Sequence, residues 1–266
     1  MKLPALFISH GAPTLAVEQT DATRAWAKLA AELPRPKSIL AVSAHWDTDA
    51  PAASVATHPE TIHDFNGFPR ALYEVGYPAL GAPELAARSA SLLGSAGMPT
   101  RLDPHRGLDH GAWVPLKWMY PEADIPVAQL SVQSKRGAQH HFALGQALSP
   151  LRDEGVLILA SGGIVHNLRE IQWLANEPVE WARSINDWIA ARASNGAVDE
   201  LIDYRRSAPS ATRSHPTEEH MEPFFVAMGA GGTPVRRLEL GIELGTLGMD
   251  SYVFGEVSDA NSKIGV

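Results

Sequence analysis

The chain has 266 residues, 45% hydrophobic and 20% charged, and carries a net charge of −8 with histidine neutral. This suits one globular α/β domain that can bury a full core without a disulfide or metal staple. The acidic charge disfavours non-specific nucleic-acid binding. The absence of cysteine removes disulfides, thiolate zinc sites, iron–sulfur clusters and cysteine nucleophiles together.

Residues 6–8 read as a first buried strand, followed by an amphipathic helix over 22–33. A second strand at 39–42 is entered through Pro34 and Pro36. The pattern at 83–93 predicts a helix with proline in its first turn and Gly94 near its end. A strand at 125–132, a helix at 140–151 and a strongly apolar strand at 156–160 come next. Further helices are expected at 181–193 and 218–228, and late strands at 235–240 and 252–254. No repeat, low-complexity tract or linker interrupts the series. Residues 1–266 are therefore expected to form a single α/β domain, with a central, largely parallel or mixed sheet flanked by helices. The N-terminal residues lack the apolar core and cleavage site of a signal peptide. No apolar run reaches the ~20 residues of a bilayer-spanning helix. A cytoplasmic protein without a membrane partner is the expectation.

With 11 histidines and no cysteine, any transition-metal site must use imidazole and carboxylate. His10 ends the first strand, His45 follows the second, and His166 follows the 156–160 strand after a glycine-bearing turn. In open α/β sheets, ligands bind beyond the carboxyl ends of the strands. If these strands are parallel neighbours, the three imidazoles meet in one crevice. A single histidine is ordinarily a surface or hydrogen-bonded core residue; three at strand ends together point to a shared metal. His220 lies at an expected helix entry, and His110 follows Asp109 and precedes Gly111, which would let a ligand approach the backbone. His58, His105 and His215 sit beside prolines in loops and are expected to be exposed. His140 and His141 begin a helix and point in different directions. His63 is expected only behind the site. Glu218 and Glu219 read as favourable charges at a helix N-terminus. There is no phosphate loop, nucleophile elbow or dinucleotide fingerprint.

The segments FISHGAP (7–13), SAHW (43–46), TIHDFNGFP (61–69), LDHGAW (108–113), VAQLSV (127–132), ASGGIVHNL (160–168) and HPTEEHMEPFF (215–225) occur in that order. Together they resemble the 4,5-DOPA extradiol dioxygenase-like proteins of the class III extradiol ring-cleavage dioxygenases. The resemblance runs from about residue 6 to the late strands. It implies a non-haem Fe(II) enzyme that opens a catechol ring with O₂, acting on a small aromatic diol. It also implies that His10 and His45 are metal ligands, with His220 at the position where the wider superfamily has a carboxylate. His166 is implied as acid/base or as a fourth ligand, and His110 as a catalytic group facing substrate. Trp46, Phe65, Phe68 and Trp113 are expected to offer an aromatic wall, with Trp46, Phe65 and His110 touching substrate.

An all-imidazole site suits zinc as well as iron, so Zn(II) in purified protein would be compatible with it. A zinc hydrolase using the same histidines and a non-catalytic metal-binding protein with a closed coordination sphere are the alternative readings. Monomer and dimer are equally compatible with the sequence.

Overall fold

Segments that are apolar at nearly every position can be buried only if both faces of their sheet are covered. The computed structural model, which describes residues 2–175 and 177–256, meets that need with helices on each side of one sheet. Its strands are β1 (Ala5–Ser9), β2 (Ser38–Asp47), β3 (Ala52–Ser54), β4 (Arg101–Asp103), β5 (Val127–Val132), β6 (Val156–Gly162), β7 (Val235–Leu238), β8 (Ile242–Glu243), β9 (Leu247–Gly248) and β10 (Ser251–Phe254). Eight form a mixed sheet in the order β4-β3-β5-β2-β6-β1-β10-β7, and β8 and β9 pair separately. The central strands β5, β2, β6 and β1 run parallel. β10 and β7 extend the β1 side in antiparallel fashion.

The period-two alternation of a strand divides the core. Leu6, Ile8, Ile39, Ala41, Leu157 and Leu159 face one layer, covered by α1 (Asp21–Glu32), as Trp26 and Leu29 show. Phe7, Leu40, Val42, Ile158 and Ala160 face the other. That side is covered by α2 (Pro83–Ser95), which packs on β3 and β5. The chain then forms α3 (His110–Met119) beside α1, α4 (Gly137–Leu148) and α5 (Glu180–Ser194). Three short turns of helix follow, α6 (Val198–Ile202), α7 (Tyr204–Ser207) and α8 (Ala211–Ser214). Last comes α9 (Glu222–Gly231), packed against α4 and β6. No helix among the described residues is long and apolar enough to cross a membrane.

The expected strands and helices are present with ends displaced by a few residues. The helix expected from 218 begins instead at Glu222, with Pro223 in its first turn. His220, Glu218 and Glu219 therefore stand in the turns ahead of it, and the reading of both glutamates as helix N-terminal charges does not hold. Instead Glu218 pairs with Arg205 at 3.4 Å, and Glu219 lies 3.1 Å from His220 Nδ1. The α3 helix was not expected. It contains Pro115, which has no N–H to donate and argues against helix in the interior of a segment.

Candidate metal centre and substrate cavity

Because β1, β6 and β2 are adjacent and parallel, their carboxyl ends open on one edge. His10 follows β1, the 163–166 turn leaves β6, and His45 lies in the last part of β2. The register of β2 against β5 shifts between Val42 and Asp47, an irregularity of the kind that re-aims side chains at a sheet edge. His110 arrives from the side as the first residue of α3. Its position is fixed by Asp109, the N-cap, whose carboxylate accepts from Ala112 N–H at 3.2 Å. Fully buried Asp109 is in turn bound by Ser43 Oγ at 2.6 Å, Arg106 Nη2 at 2.5 Å and the Gln129 amide. His220 is held over the end of β6 by Gly163 N–H, which donates to its carbonyl at 2.9 Å. A Cβ on Gly162 would overlap that carbonyl, so the turn can approach β6 only across a glycine.

Five imidazoles result in one cluster. Ring centroids lie 4.9 Å apart for His10 and His45, 4.0 Å for His45 and His110, and 5.3 Å for His10 and His110. His220 is 5.5 Å from His10 and 5.0 Å from His45. His166 stacks on His220 at 3.5 Å with the rings 9° from parallel. One nitrogen each from His10, His45 and His110 falls within a set spanning 4.8 Å.

Hydrogen bonding fixes which nitrogen of each ring is free. The two oxygens of Asp64 accept from His45 Nδ1 at 3.2 Å and His110 Nδ1 at 2.9 Å. Glu219 accepts from His220 Nδ1. Pro115 leaves the Gly111 carbonyl without its intrahelical donor, and the Ser161 hydroxyl donates to it. Ser161 Oγ then accepts from His10 Nδ1 at 2.9 Å. All four Nε2 atoms thus carry lone pairs. His10 Nε2 and His45 Nε2 face one another at 3.0 Å, and His220 Nε2 is buried with no partner among the described residues. Opposed lone pairs and an orphaned acceptor are costly unless a cation satisfies them, so these residues fit a metal. The oxygens behind the rings are the supports that orient metal-binding imidazoles.

The electrostatics agree. Burial, and then the neighbouring imidazoles, lower His10 and His220 well below the ordinary histidine range. Burial and His110 lower His45 to about 4, against the opposing pull of Asp109 and Asp64. Burial and the neighbouring histidines lower His166 to about 3. The rings are therefore neutral near pH 7, the form that binds metal. Burial alone would raise Asp64, but the hydrogen bonds it accepts from the His110 ring and backbone hold it at about 2, so it remains an anion. Asp64→Asn, whose amide cannot accept from both rings, is expected to weaken metal affinity by about 10–100-fold. Competition against a chromophoric chelator measures this; wild-type affinity would mean that the rings are oriented without it.

The cluster forms the floor of a cavity of about 710 Å³, lined by His10, His45, His110, His166 and His220 together with Phe65 and Phe68. Trp46 and Trp113 are not among its lining. Trp46 lies under the Arg106 guanidinium at 5.1 Å, and Trp113 is fully buried, donating from Nε1 to the Ile62 carbonyl. His63 stands behind Phe65 and donates to Val75 O at 2.9 Å. His58 and His105 are exposed, as expected. His215 is not: it is fully buried, and its Nε2 bonds the Gly163 carbonyl at 3.0 Å, bracing the turn before His166. The space beside Gly111 is taken by Ser43 Oγ and His45, which corrects the expectation of a ligand there. The supports Asp64 and Ser161 had no place in the sequence reading, and Glu219 was read there only as a helix N-terminal charge. Asp64 lies beside His63 in one of the recognised motifs, and that adjacency was the available signal.

An imidazole-rich centre at the carboxyl ends of parallel strands, under an aromatic-walled cavity, defines a non-haem metalloenzyme. Residues 4–258 match the family described as the catalytic LigB subunit of aromatic ring-opening dioxygenase, and the chain belongs to that family. It is an oxidoreductase that incorporates O₂ by means of a metal. The chain is 44% identical over 261 residues to the 4,5-DOPA dioxygenase extradiol of Escherichia coli strain K12, covering 96% of this chain and 95% of that one. It is 46% identical over 230 residues to the 4,5-DOPA dioxygenase extradiol of Beta vulgaris, covering 85% and 86%. A crystal structure of an uncharacterised Escherichia coli K12 protein superposes with a TM-score of 0.81 at 39% identity, covering 96% of this chain and all of that one. These relatives do not favour the hydrolase or the non-catalytic reading.

Proposed function

We propose that the chain is an Fe(II)-dependent extradiol dioxygenase that opens the ring of a DOPA-like catechol, with residues 1–266 acting as one catalytic domain. The observation that carries this is the set of imidazoles whose Nδ1 atoms are all tied to oxygens while their Nε2 atoms are turned loose. His10, His45 and His220 hold the metal. His10 and His45 each place a nitrogen in the set spanning 4.8 Å, and the burial of His220 Nε2 without a partner among the described residues favours it as the third ligand. His110, whose ring is 4.0 Å from that of His45, faces the substrate through its Nε2 lone pair, takes up one catechol hydroxyl proton there and returns it late in the reaction.

When bound, the metal acidifies the catechol hydroxyls and supplies the electron transfer that ring opening by O₂ requires. His166 accepts a hydroxyl proton. Its ring is neutral before substrate arrives, and an anionic catecholate beside it stabilises the imidazolium. Asp64 keeps His110 in the tautomer that presents Nε2 to the cavity. Phe65 and Phe68 pack on the ring face and exclude water from the floor. The acidic charge and the absence of cysteine support a cytoplasmic enzyme acting on a small aromatic diol, without a nucleic-acid or membrane partner.

The test is O₂ consumption by metal-stripped protein reconstituted anaerobically with Fe(II) or with Zn(II), then given DOPA or simple catechols. Uptake with rising visible absorbance is expected only with Fe(II), because zinc is redox-inert. No uptake with any catechol at confirmed iron occupancy would overturn the proposal.

A further inference from the structure

His166 is delivered by a turn that has little local reason to hold one shape. β6 runs out through Gly162 and Gly163 in succession, and residues without a Cβ lose the most backbone freedom on ordering. What orders the turn comes from outside it. The Gly163–Ile164 peptide is gripped at both poles by buried side chains. His215 Nε2 donates to the Gly163 carbonyl at 3.0 Å, and Ser9 Oγ accepts from Ile164 N–H at 3.1 Å. Beyond it, Val165 O accepts from Gly248 N–H at 3.1 Å, and His166 N–H donates to Ser214 O at 3.2 Å.

Both grips are themselves anchored. The Ser9 hydroxyl donates to the Asp250 carbonyl at 2.8 Å, which leaves it a lone pair for Ile164. His215 is fixed through its own backbone: its N–H donates to Ala211 O at 2.9 Å, and Arg205 Nη1 donates to its carbonyl at 2.5 Å. Its ring packs edge-on against Tyr204, with centroids 5.9 Å apart. Burial lowers His215 to about 4, against the hydrogen bond to Gly163, so the ring carries one proton near pH 7. A carbonyl can only accept, and it keeps that proton on Nε2. Nδ1 is buried with no partner among the described residues, a cost that an apolar side chain of the same shape would avoid.

We propose that His215 is a positioning residue for ring opening: with Ser9 it clamps the Gly163–Ile164 peptide and so keeps the His166 ring where it can take the catechol proton. His215 does not line the cavity and acts only through the turn. The N–H of Gly163, which holds the His220 carbonyl at 2.9 Å, belongs to the preceding peptide. Loosening the clamp therefore disturbs His166 before it disturbs the metal ligands. This rests on the reading of His166 as a proton acceptor in ring opening.

The test is a mutant cycle on Fe(II)-loaded protein turning over DOPA in air, with iron content, a thermal melt and anaerobic DOPA affinity measured alongside. H215F keeps a ring against Tyr204 but has no donor. Its kcat is expected to fall about 10–100-fold, the scale of a small misplacement of a reacting group, while iron stays near stoichiometric and DOPA affinity is little changed. H215Q, whose amide can donate to Gly163, should recover most of the rate. In the H166A background H215F should lower the residual rate by less than about twofold, because residues that act as a unit are non-additive. S9A removes the other grip and should show the same pattern, which keeps the test standing if H215F does not fold. An unchanged kcat, an equal fall in both backgrounds, no advantage of glutamine over phenylalanine, or loss of iron would overturn the proposal alone. Wild-type protein that consumes no O₂ at full iron occupancy would overturn it together with the ring-opening reading.

Discussion

His45→Ala is expected to abolish both metal binding and ring opening. The His45 ring lies within 5.0 Å of the centroids of His10, His110 and His220. Its Nε2 opposes that of His10, and its Nδ1 occupies one oxygen of Asp64. Truncation removes a ligand and also frees the carboxylate that orients His110, so the loss extends beyond one coordination bond. With no metal retained, turnover falls to background. The fold should survive: the ring faces the cavity, and the core is built by Leu40, Ala41 and Val42 earlier in β2. Metal content after gel filtration, O₂ uptake and a thermal melt together check this. Stoichiometric metal with wild-type rate would remove His45 from the ligand set.

His166→Ala should instead separate metal binding from turnover. The ring lines the cavity and stacks on His220, but its nitrogens take no part in the tight cluster of His10, His45 and His110. If it moves a proton, its loss slows turnover by about 10²–10⁴-fold while iron remains near stoichiometric. A shift in the pH profile of kcat should accompany the fall. Loss of metal in this variant would make His166 a fourth ligand.

The parallel order of β1, β6 and β2 could be anticipated from short apolar strands spaced by helices, and with it the meeting of His10, His45 and His166. His220 and His110 were singled out by a helix entry and a glycine neighbour, but their roles were legible only through motif resemblance, because neither stands at a strand end and both depend on a cap or a turn. The supporting groups were harder to see. Asp64 is an ordinary acid in a loop until the fold brings it between two imidazoles contributed by residues 45 and 110. His215 reads as exposed because prolines mark loops, yet α7 and α8 close over it, with Tyr204 against its ring. The α3 helix was hidden by Pro115, whose local preference is overruled by packing of Trp113 and Leu116 into the core.

Pro115 also ties local stability to catalysis. A proline inside a helix costs about 3 kcal/mol relative to alanine, and α3 bears that defect among buried residues. What the defect releases is a single carbonyl, which engages Ser161 and through it settles where the proton of His10 resides. With His10 in its proposed role as a metal ligand, the frustrated helix would hold that ring's lone pair at the nitrogen that faces the metal. Improving α3 and improving the metal centre are therefore opposed demands on the same backbone oxygen.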